Sequence, residues 1–324
     1  MSLLDSFLDI ISEWKFLFSK QPSYRRTILL ALASICVFGR ACISRIISFL
    51  GLDQQDWSAH YKLFSRSSWQ EQDLFLAIIK KALPIIDEPY VAIAFDDTKI
   101  KKTGKKIKIA FYQRDPMSPP FHMNLLYGSR FLQGSLLVPM YRKNDQPPRA
   151  LPITFKEVPA IKKPGKRATE EEHKEYKQQI KEINLSTHFI DSLLKTRAEL
   201  DRAGCENKEL IAVVDGSFCN RTCMSAKRDR ICVVARARKD AKLCFRSANN
   251  TQKIYDDKKF TPEEVRQNDA IPWQTTTIYH GGKWREVRYK EVTHVLWQRG
   301  TKQEELKLIV IAPIPYRLTK KGRL

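Results

Sequence analysis

Two short apolar runs in this chain each stop at an aspartate, and that repeat constrains its fold more than any other feature. Tyr90-Val91-Ala92-Ile93-Ala94-Phe95 follows Pro89 and gives way to Asp96-Asp97-Thr98; Leu210 to Val214 gives way to Asp215-Gly216-Ser217. A brief run, apolar throughout and bounded by turn residues, is the pattern of a strand buried on both faces. A carboxylate where such a strand stops is held on a rigid element and faces the crevice where open α/β sheets bind ligands. Taken singly, either aspartate reads as an ordinary strand-end turn or helix cap. Taken together on neighbouring strands, two acids can share divalent cations, because Mg²⁺ prefers one or two carboxylates with phosphate oxygens and water. A pair of such ions about 3.5–4 Å apart activates an attacking oxygen and stabilises the leaving one.

Charge says what an acidic centre of this kind would meet. Lys and Arg number 57 against 36 Asp and Glu, for a formal charge of +21 and a pI near 9.7. The resulting field attracts polyanions, nucleic acid above all, since neutralising phosphates releases condensed counterions. A merely soluble basic protein is the competing reading of charge alone. Hydrophobic residues at 43% exclude a disordered chain and permit a sizeable core. Seven cysteines at irregular spacing with no secretory signal point to a reducing, cytoplasmic setting and exclude a disulfide framework. Cys219 and Cys223 stand four apart, but no second Cys or His pair follows at finger-like spacing, so they read as ordinary buried or partly buried thiols. The run Ile28 to Phe38, cut by Gly39 and Arg40, falls short of the ~20 residues needed to cross a bilayer and reads as a buried helix.

The apolar spacing is helical from Leu3 to Leu83, in Leu4, Phe7, Leu8 and Ile11, in Leu29, Leu30 and Ala33, and in Leu74, Phe75, Ile78 and Ile79. Ser67 or Ser68 would cap a helix starting near Trp69. After the first acidic run, Ile107 to Tyr112 and Ser135 to Met140 read as strands, and the Pro- and Lys-rich stretch 143–167 as a loop or extended arm. Thr169 followed by Glu170, Glu171 and Glu172 opens a single charged helix running to Ala203, closed by Gly204. Beyond Ile231 to Ala235 the chain breaks into short alternating segments, Thr275 to Tyr279, Trp284 to Tyr289 and Val292 to Trp297. These read as antiparallel hairpins joined at Gly281-Gly282. Leu306 to Ala312 returns to buried-strand character before a basic tail.

The segments FDDTKIKKTGKK, NLLYGSRFLQGSLLVPM, and IAVVDGSFCNRT with RARKDAKL resemble the DDE-superfamily transposases and endonucleases of insertion sequences. The resemblance covers most of Ser65 to Leu318. It implies an α/β fold: an RNase H-like mixed sheet core, a helical N-terminal region and a β-rich insertion. On that pattern residues 1–86 bind or position DNA, 87–244 form the catalytic core with its arm at 143–167, 245–305 are the insertion, and 306–324 hold the last core strand and a tail. Asp97 matches the first family acid, with Asp96 as an alternative, and Asp215 matches the second. The family's third acid is a glutamate on a late helix, for which the chain stops too early at Leu324, and we expect a product truncated before it. Glu286, Glu291, Glu304 and Glu305 remain as internal candidates.

The implied function is transposition: Mg²⁺-dependent hydrolysis at transposon ends, with Mn²⁺ as substitute, then strand transfer of the freed 3′-hydroxyl into target DNA. The implied partner is double-stranded DNA, bound by a homodimer on paired ends, with nucleoid association and no membrane. The alternative is a catalytically inactive, truncated transposase that only binds DNA. Lys99, Lys101, Lys102, Lys105 and Lys106 follow the first acids and would meet phosphates there; Arg236, Arg238 and Lys239 follow the second. Trp273, Trp284 and Trp297 interleave with Lys283, Arg285, Arg288 and Lys290, which suits base stacking from one strand face and hairpin packing from the other. His122, His173, His188, His280 and His294 have no partner at motif spacing and read as bystanders.

Overall fold

A computed structural model of the chain describes residues 2–66, 71–104, 106–119, 121–140, 147–225, 228–248, 253–280 and 282–312. Ser67, Ser68 and Trp69, Lys105 and the tail after Ala312 therefore lie outside the described residues. Five helices come first: α1 (Leu3–Ser12), α2 (Gln21–Cys36), α3 (Ile43–Phe49), α4 (Ser58–Arg66) and α5 (Glu71–Ala82). A capping box between Ser2 and Asp5 starts α1, and Pro22 in the first turn starts α2. Leu30, Ala33, Ile46 and Leu63 form a small core between α2, α3 and α4. α2 is amphipathic rather than buried throughout, since Leu29 and Ile35 face solvent. An apolar cavity of about 690 Å³ opens among these helices, lined in part by Leu30, Ile46, Leu63 and Phe64. Among the described residues no helix is long and apolar enough to cross a membrane.

The first sheet is built from β1 (Tyr90–Lys101), β2 (Phe111–Arg114), β3 (Leu125–Val138), β4 (Arg149–Glu157), β5 (Glu209–Val214) and β6 (Ile231–Ala235). Its order is β4-β3-β1-β5-β6, with β2 beside the other end of β3. β3 is antiparallel to β1 and β4, whereas β1, β5 and β6 are mutually parallel. This is the mixed sheet of an RNase H-like core. The crossover to β5 runs through α6 (Glu170–Glu182) and α7 (Leu185–Arg202). Val91, Ile93 and Phe95 pack against α7 on one face, where the Phe189 ring stands 5.3 Å from that of Phe95 and 5.1 Å from that of Phe218. Gly134 permits the close approach of β3, β4 and β1: a Cβ there would lie 2.5 Å from Thr154 Cγ2 and 2.8 Å from Phe95 Cε1.

Several elements differ from the sequence reading. β1 is not covered on both faces, and Val213 and Val234 of its neighbours are exposed. Its unbroken apolar character comes from Ala92 and Ala94, which tolerate a half-open face. The stretch read as a loop contains β4, and Pro152 fits there because β4 pairs with β3 alone and the register shifts between Gly134 and Ser135. Of the run Ile107 to Tyr112 only Phe111 and Tyr112 lie in a strand, β2, and β3 begins ten residues before Ser135. The helix opened by the Thr169–Glu172 capping box ends at Glu182, because Asn184 and Thr187 form a second capping box that starts α7. Gly204, with φ +85°, closes α7 as expected.

After α8 (Arg221–Met224), a second sheet combines β7 (Leu243–Arg246), β8 (Tyr255–Phe260), β9 (Gln274–His280), β10 (Lys283–Leu296) and β11 (Glu305–Ile311), with α9 (Pro262–Gln267) between β8 and β9. It is antiparallel, as expected of hairpins. The segments 284–289 and 292–296 are parts of one long strand, which stops before Trp297 and is irregular between Val292 and Val295, where His294 adopts φ +57°. β11 pairs with β10 and not with the first sheet, so the run from Leu306 is not the last strand of that sheet. Lys290 is fully buried, its Nζ donating to the carbonyls of Val265, Arg266 and Asn268 and lying 4.5 Å over the Trp273 ring. A cation is thereby placed at the C-terminal end of α9, where the helix dipole favours it.

Candidate active site

The parallel pairing of β1 with β5 ends at Phe95 and Val214. One step further along both chains stand Asp96 and Asp215. β1 itself does not end there: it stays paired with β3, without interruption, from Ile93 to Lys101. Alternation along an unbroken strand therefore assigns its two acids to opposite faces. Asp96 follows Ala92 and Ala94 onto the half-open face; Asp97 follows Val91, Ile93 and Phe95 onto the packed one.

Their partners agree with that division. Asp97 Oδ2 accepts a 2.8 Å hydrogen bond from Arg130 Nε of β3, in an ion pair whose side chains are only 14% (Asp97) and 28% (Arg130) exposed. Asp96 Oδ1 accepts the backbone N–H of Asp97 at 2.8 Å. Partial burial holds the Asp96 carboxyl above the usual carboxylate range, opposed by that hydrogen bond and reinforced by the negative charges of Asp215 and Asp97. Asp215 uses Oδ1 to accept from the backbone N–H of Ser217 at 2.9 Å and its hydroxyl at 2.5 Å, which fixes the carboxylate on the turn after β5. Gly216 lies beside the Arg236 carbonyl, 3.5 Å from where a Cβ would stand, so the ends of β5 and β6 approach closely at this point.

Asp96 and Asp215 thus stand near enough for the Asp215 charge to act on the Asp96 carboxyl, and a divalent cation between them would relieve that repulsion. Carboxylate oxygens beside open solvent also suit a hard ion that keeps several waters. The donor set fits such an ion. Among the described residues no group of three or more His, Cys, Asp or Glu gathers closely enough to bind a metal. The internal glutamates belong to the second sheet and its turns: Glu291 pairs with Lys307 at 2.8 Å, and Glu305 with His294 at 2.7 Å. His294, read as a bystander, is engaged in this structural contact. Burial pushes the thiols of half-buried Cys219 and buried Cys223 up, as suits inert cysteines.

Of the basic residues, Lys101, Lys106, Arg236, Arg238 and Lys239 are exposed and Lys102 is half-buried. Lys99 Nζ donates to the Arg114 carbonyl and Arg238 pairs with Asp240, so both are partly committed. Within the second sheet, Trp284 packs edge-on against Tyr279 while remaining exposed, and Arg285 Nε donates to the His280 carbonyl. Arg288 lies 5.4 Å over Trp273, and Trp297 packs over Gly300, where a Cβ would meet its ring at 1.8 Å. Sequence reasoning passed over Arg130, Ser217 and Gln133, the cross-strand partner of Asp96. Large and small side chains alternate through VAIAF, and that signal would have assigned Asp97 to the packed face.

A family model for DDE superfamily endonucleases matches residues 53–304, most of the chain and both aspartate-bearing strands. The chain belongs to that family. DDE superfamily endonucleases act on DNA and generally use divalent metals. No curated protein sequence matches the chain.

Proposed function

We propose that this DDE superfamily endonuclease is a transposase in which Asp96 and Asp215 hold a catalytic divalent cation, Mg²⁺ or in its place Mn²⁺. The observation that carries the reading is that these two acids stand one residue past the end of the β1–β5 ladder, with the Asp215 charge acting on Asp96, while Asp97 is neutralised by Arg130. Asp97, ranked first from the sequence, then acts by holding β1 against β3 and so fixing the backbone that presents Asp96. When bound, the cation supplies an activated oxygen nucleophile and stabilisation of the leaving 3′-oxygen. Ser217 restrains the Asp215 carboxylate through Oδ1 and leaves Oδ2 for the ion. Lys102, Lys106 and Arg236 draw the phosphate backbone toward the acids. Strand transfer uses the same residues, with the freed 3′-hydroxyl in the place of water, and two copies on paired ends would join both strands.

The test is incubation of supercoiled plasmid, with and without an oligonucleotide bearing a 3′-hydroxyl end, in Mg²⁺ or Mn²⁺. We expect nicking and oligonucleotide joining by the natural chain and neither by Asp215→Asn. DNA binding without nicking in either ion would overturn the nuclease reading and leave a DNA-binding protein alone.

A further inference from the structure

The sheet extends beyond the acids as a narrow arm in which β3 is flanked first by β1 and then, from Gly128 onward, by β2. Past Asp97, β1 continues to Lys101 opposite β3, and β2 adds to β3 over Leu125 to Gly128. Gln113 Nε2 donates to the Gly128 carbonyl, Lys99 Nζ donates to that of Arg114, and the Tyr112 and Tyr127 rings stand 5.0 Å apart, so the arm is braced from edge to edge. Its shaft is basic: Lys99, Lys101, Lys102, Lys106, Lys108 and Arg114 stand against the single acid Asp115 between Thr98 and Phe131.

The tip has the opposite character. In the loop between β2 and β3, Met117 is 87% exposed, Phe121 90% and Met123 61%. The two ends of the loop are nonetheless tied together by its own bonds. The Asp115 N–H donates to the Asn124 carbonyl at 2.9 Å, the Met117 N–H to Asp115 Oδ1 at 2.9 Å, and the Asn124 N–H to Ser118 Oγ at 2.9 Å. Large apolar side chains held outward on a stiff, charged stalk do not serve the core of this fold. They invite a partner that is apolar where the tip arrives and anionic where the shaft lies.

We propose that the arm lies along duplex DNA and that its tip, through Met117, Phe121 and Met123, enters between base steps as a wedge. Stacked bases flanked by phosphates have the required combination, and proteins that kink DNA insert Phe, Met and similar side chains in this manner. A second copy of the chain is disfavoured, because two basic shafts of a protein with charge +21 repel one another. The reach is set by the strand. Eight residues separate Gln133, the partner of Asp96, from Leu125 at the tip end of β3. At about 3.3 Å per residue that is roughly 26 Å, about eight base pairs at 3.4 Å per step. The wedge accordingly opens the duplex about eight base pairs from the phosphate at the acids. The inference rests on the DNA-endonuclease reading and adds a second point of action to it.

Insertion unwinds DNA, so the test is topological. Plasmid is relaxed by a metal-independent type I topoisomerase in EDTA, with the full chain bound, and its linking number is then read on a gel. We expect the natural chain to lower the linking number and Phe121→Trp to preserve the effect. The variant combining Met117→Ser, Phe121→Ser and Met123→Ser should abolish it, with an unchanged melting temperature and salt dependence of binding. Lys101→Gln with Lys102→Gln should instead reduce the slope of log affinity against log salt by about 2, at ~0.9 per phosphate contact. Unwinding that survives the triple serine variant, or a bound natural chain that leaves the linking number unchanged, overturns the wedge while the nuclease reading stands. A tip that holds two copies together, shown by a dimer that becomes monomeric in the triple variant without loss of unwinding, also overturns it. Failure of the natural chain to bind duplex at low salt overturns both readings.

Discussion

The division of labour between adjacent aspartates makes opposite demands on stability. Removing one partner of a fully buried ion pair costs about 3–5 kcal/mol, and an exposed pair is worth ~0.2–1 kcal/mol. Asp97 and Arg130, at 14% and 28% side-chain exposure, lie between these limits. Arg130→Met, which keeps most of the stem and strands the carboxylate, should therefore cost about 2 kcal/mol. Asp97→Asn should cost about 1 kcal/mol, and the double variant should show a coupling near 1 kcal/mol between the two positions. Asp96 behaves in the reverse sense. Its carboxyl is raised in the fold, so it favours the native state while protonated, at pH below its unfolded value, and that contribution is lost as pH rises through the folded value. At neutral pH Asp96→Asn removes a repulsion, and after solvent screening the fold should gain a few tenths to about 1 kcal/mol. Urea unfolding followed by tryptophan fluorescence at pH 7 measures all four variants. A negligible loss in Arg130→Met together with a clear loss in Asp96→Asn would refute the assignment of the two acids to different faces.

Further expectations follow from single positions. Lys290→Met leaves the carbonyls of Val265, Arg266 and Asn268 without their buried donor and should destabilise the second sheet by about 2–4 kcal/mol; limited proteolysis around α9 would detect it. Gly134→Ala forces a Cβ into Thr154 and Phe95 and should lower stability by about 1–3 kcal/mol in thermal melts. Mn²⁺ affinity should fall as pH drops through the raised Asp96 range, because the proton competes for the carboxylate that the ion requires. A pH-independent affinity there would exclude Asp96 as a ligand.

Much of the core was legible because its strands are written in apolar runs. Tyr90 to Phe95, Leu210 to Val214 and Ile231 to Ala235 all fall within strands, and the capping box at Thr169 marks the start of α6. What the pattern could not show is where a backbone ladder outlasts its apolar side chains. β1 runs on through Asp96, Asp97 and two lysines, Lys99 and Lys101, because β3 pairs with it regardless of side-chain polarity. β4 was hidden by Pro152, which an edge strand accepts. The break between α6 and α7 depends on Asn184, a cap that looks like any polar residue inside a charged helix. In the site, the two carboxylate-bearing strands were visible, but Arg130 sits 33 residues from Asp97 and only the register of β1 and β3 brings them together. Assigning β11 to the first sheet failed for a related reason: a buried-looking run carries no information about which sheet receives it.

Binding of Mn²⁺, followed through the loss of the free-ion electron paramagnetic resonance signal, tests the central claim most directly when applied to the natural chain and to Asp96→Asn, Asp97→Asn and Asp215→Asn. We expect Asp96→Asn and Asp215→Asn each to weaken binding at least about tenfold, equivalent to ~1.4 kcal/mol, while Asp97→Asn binds nearly as the natural chain does. Loss of binding in Asp97→Asn with retention in Asp96→Asn would contradict the pairing of Asp96 with Asp215.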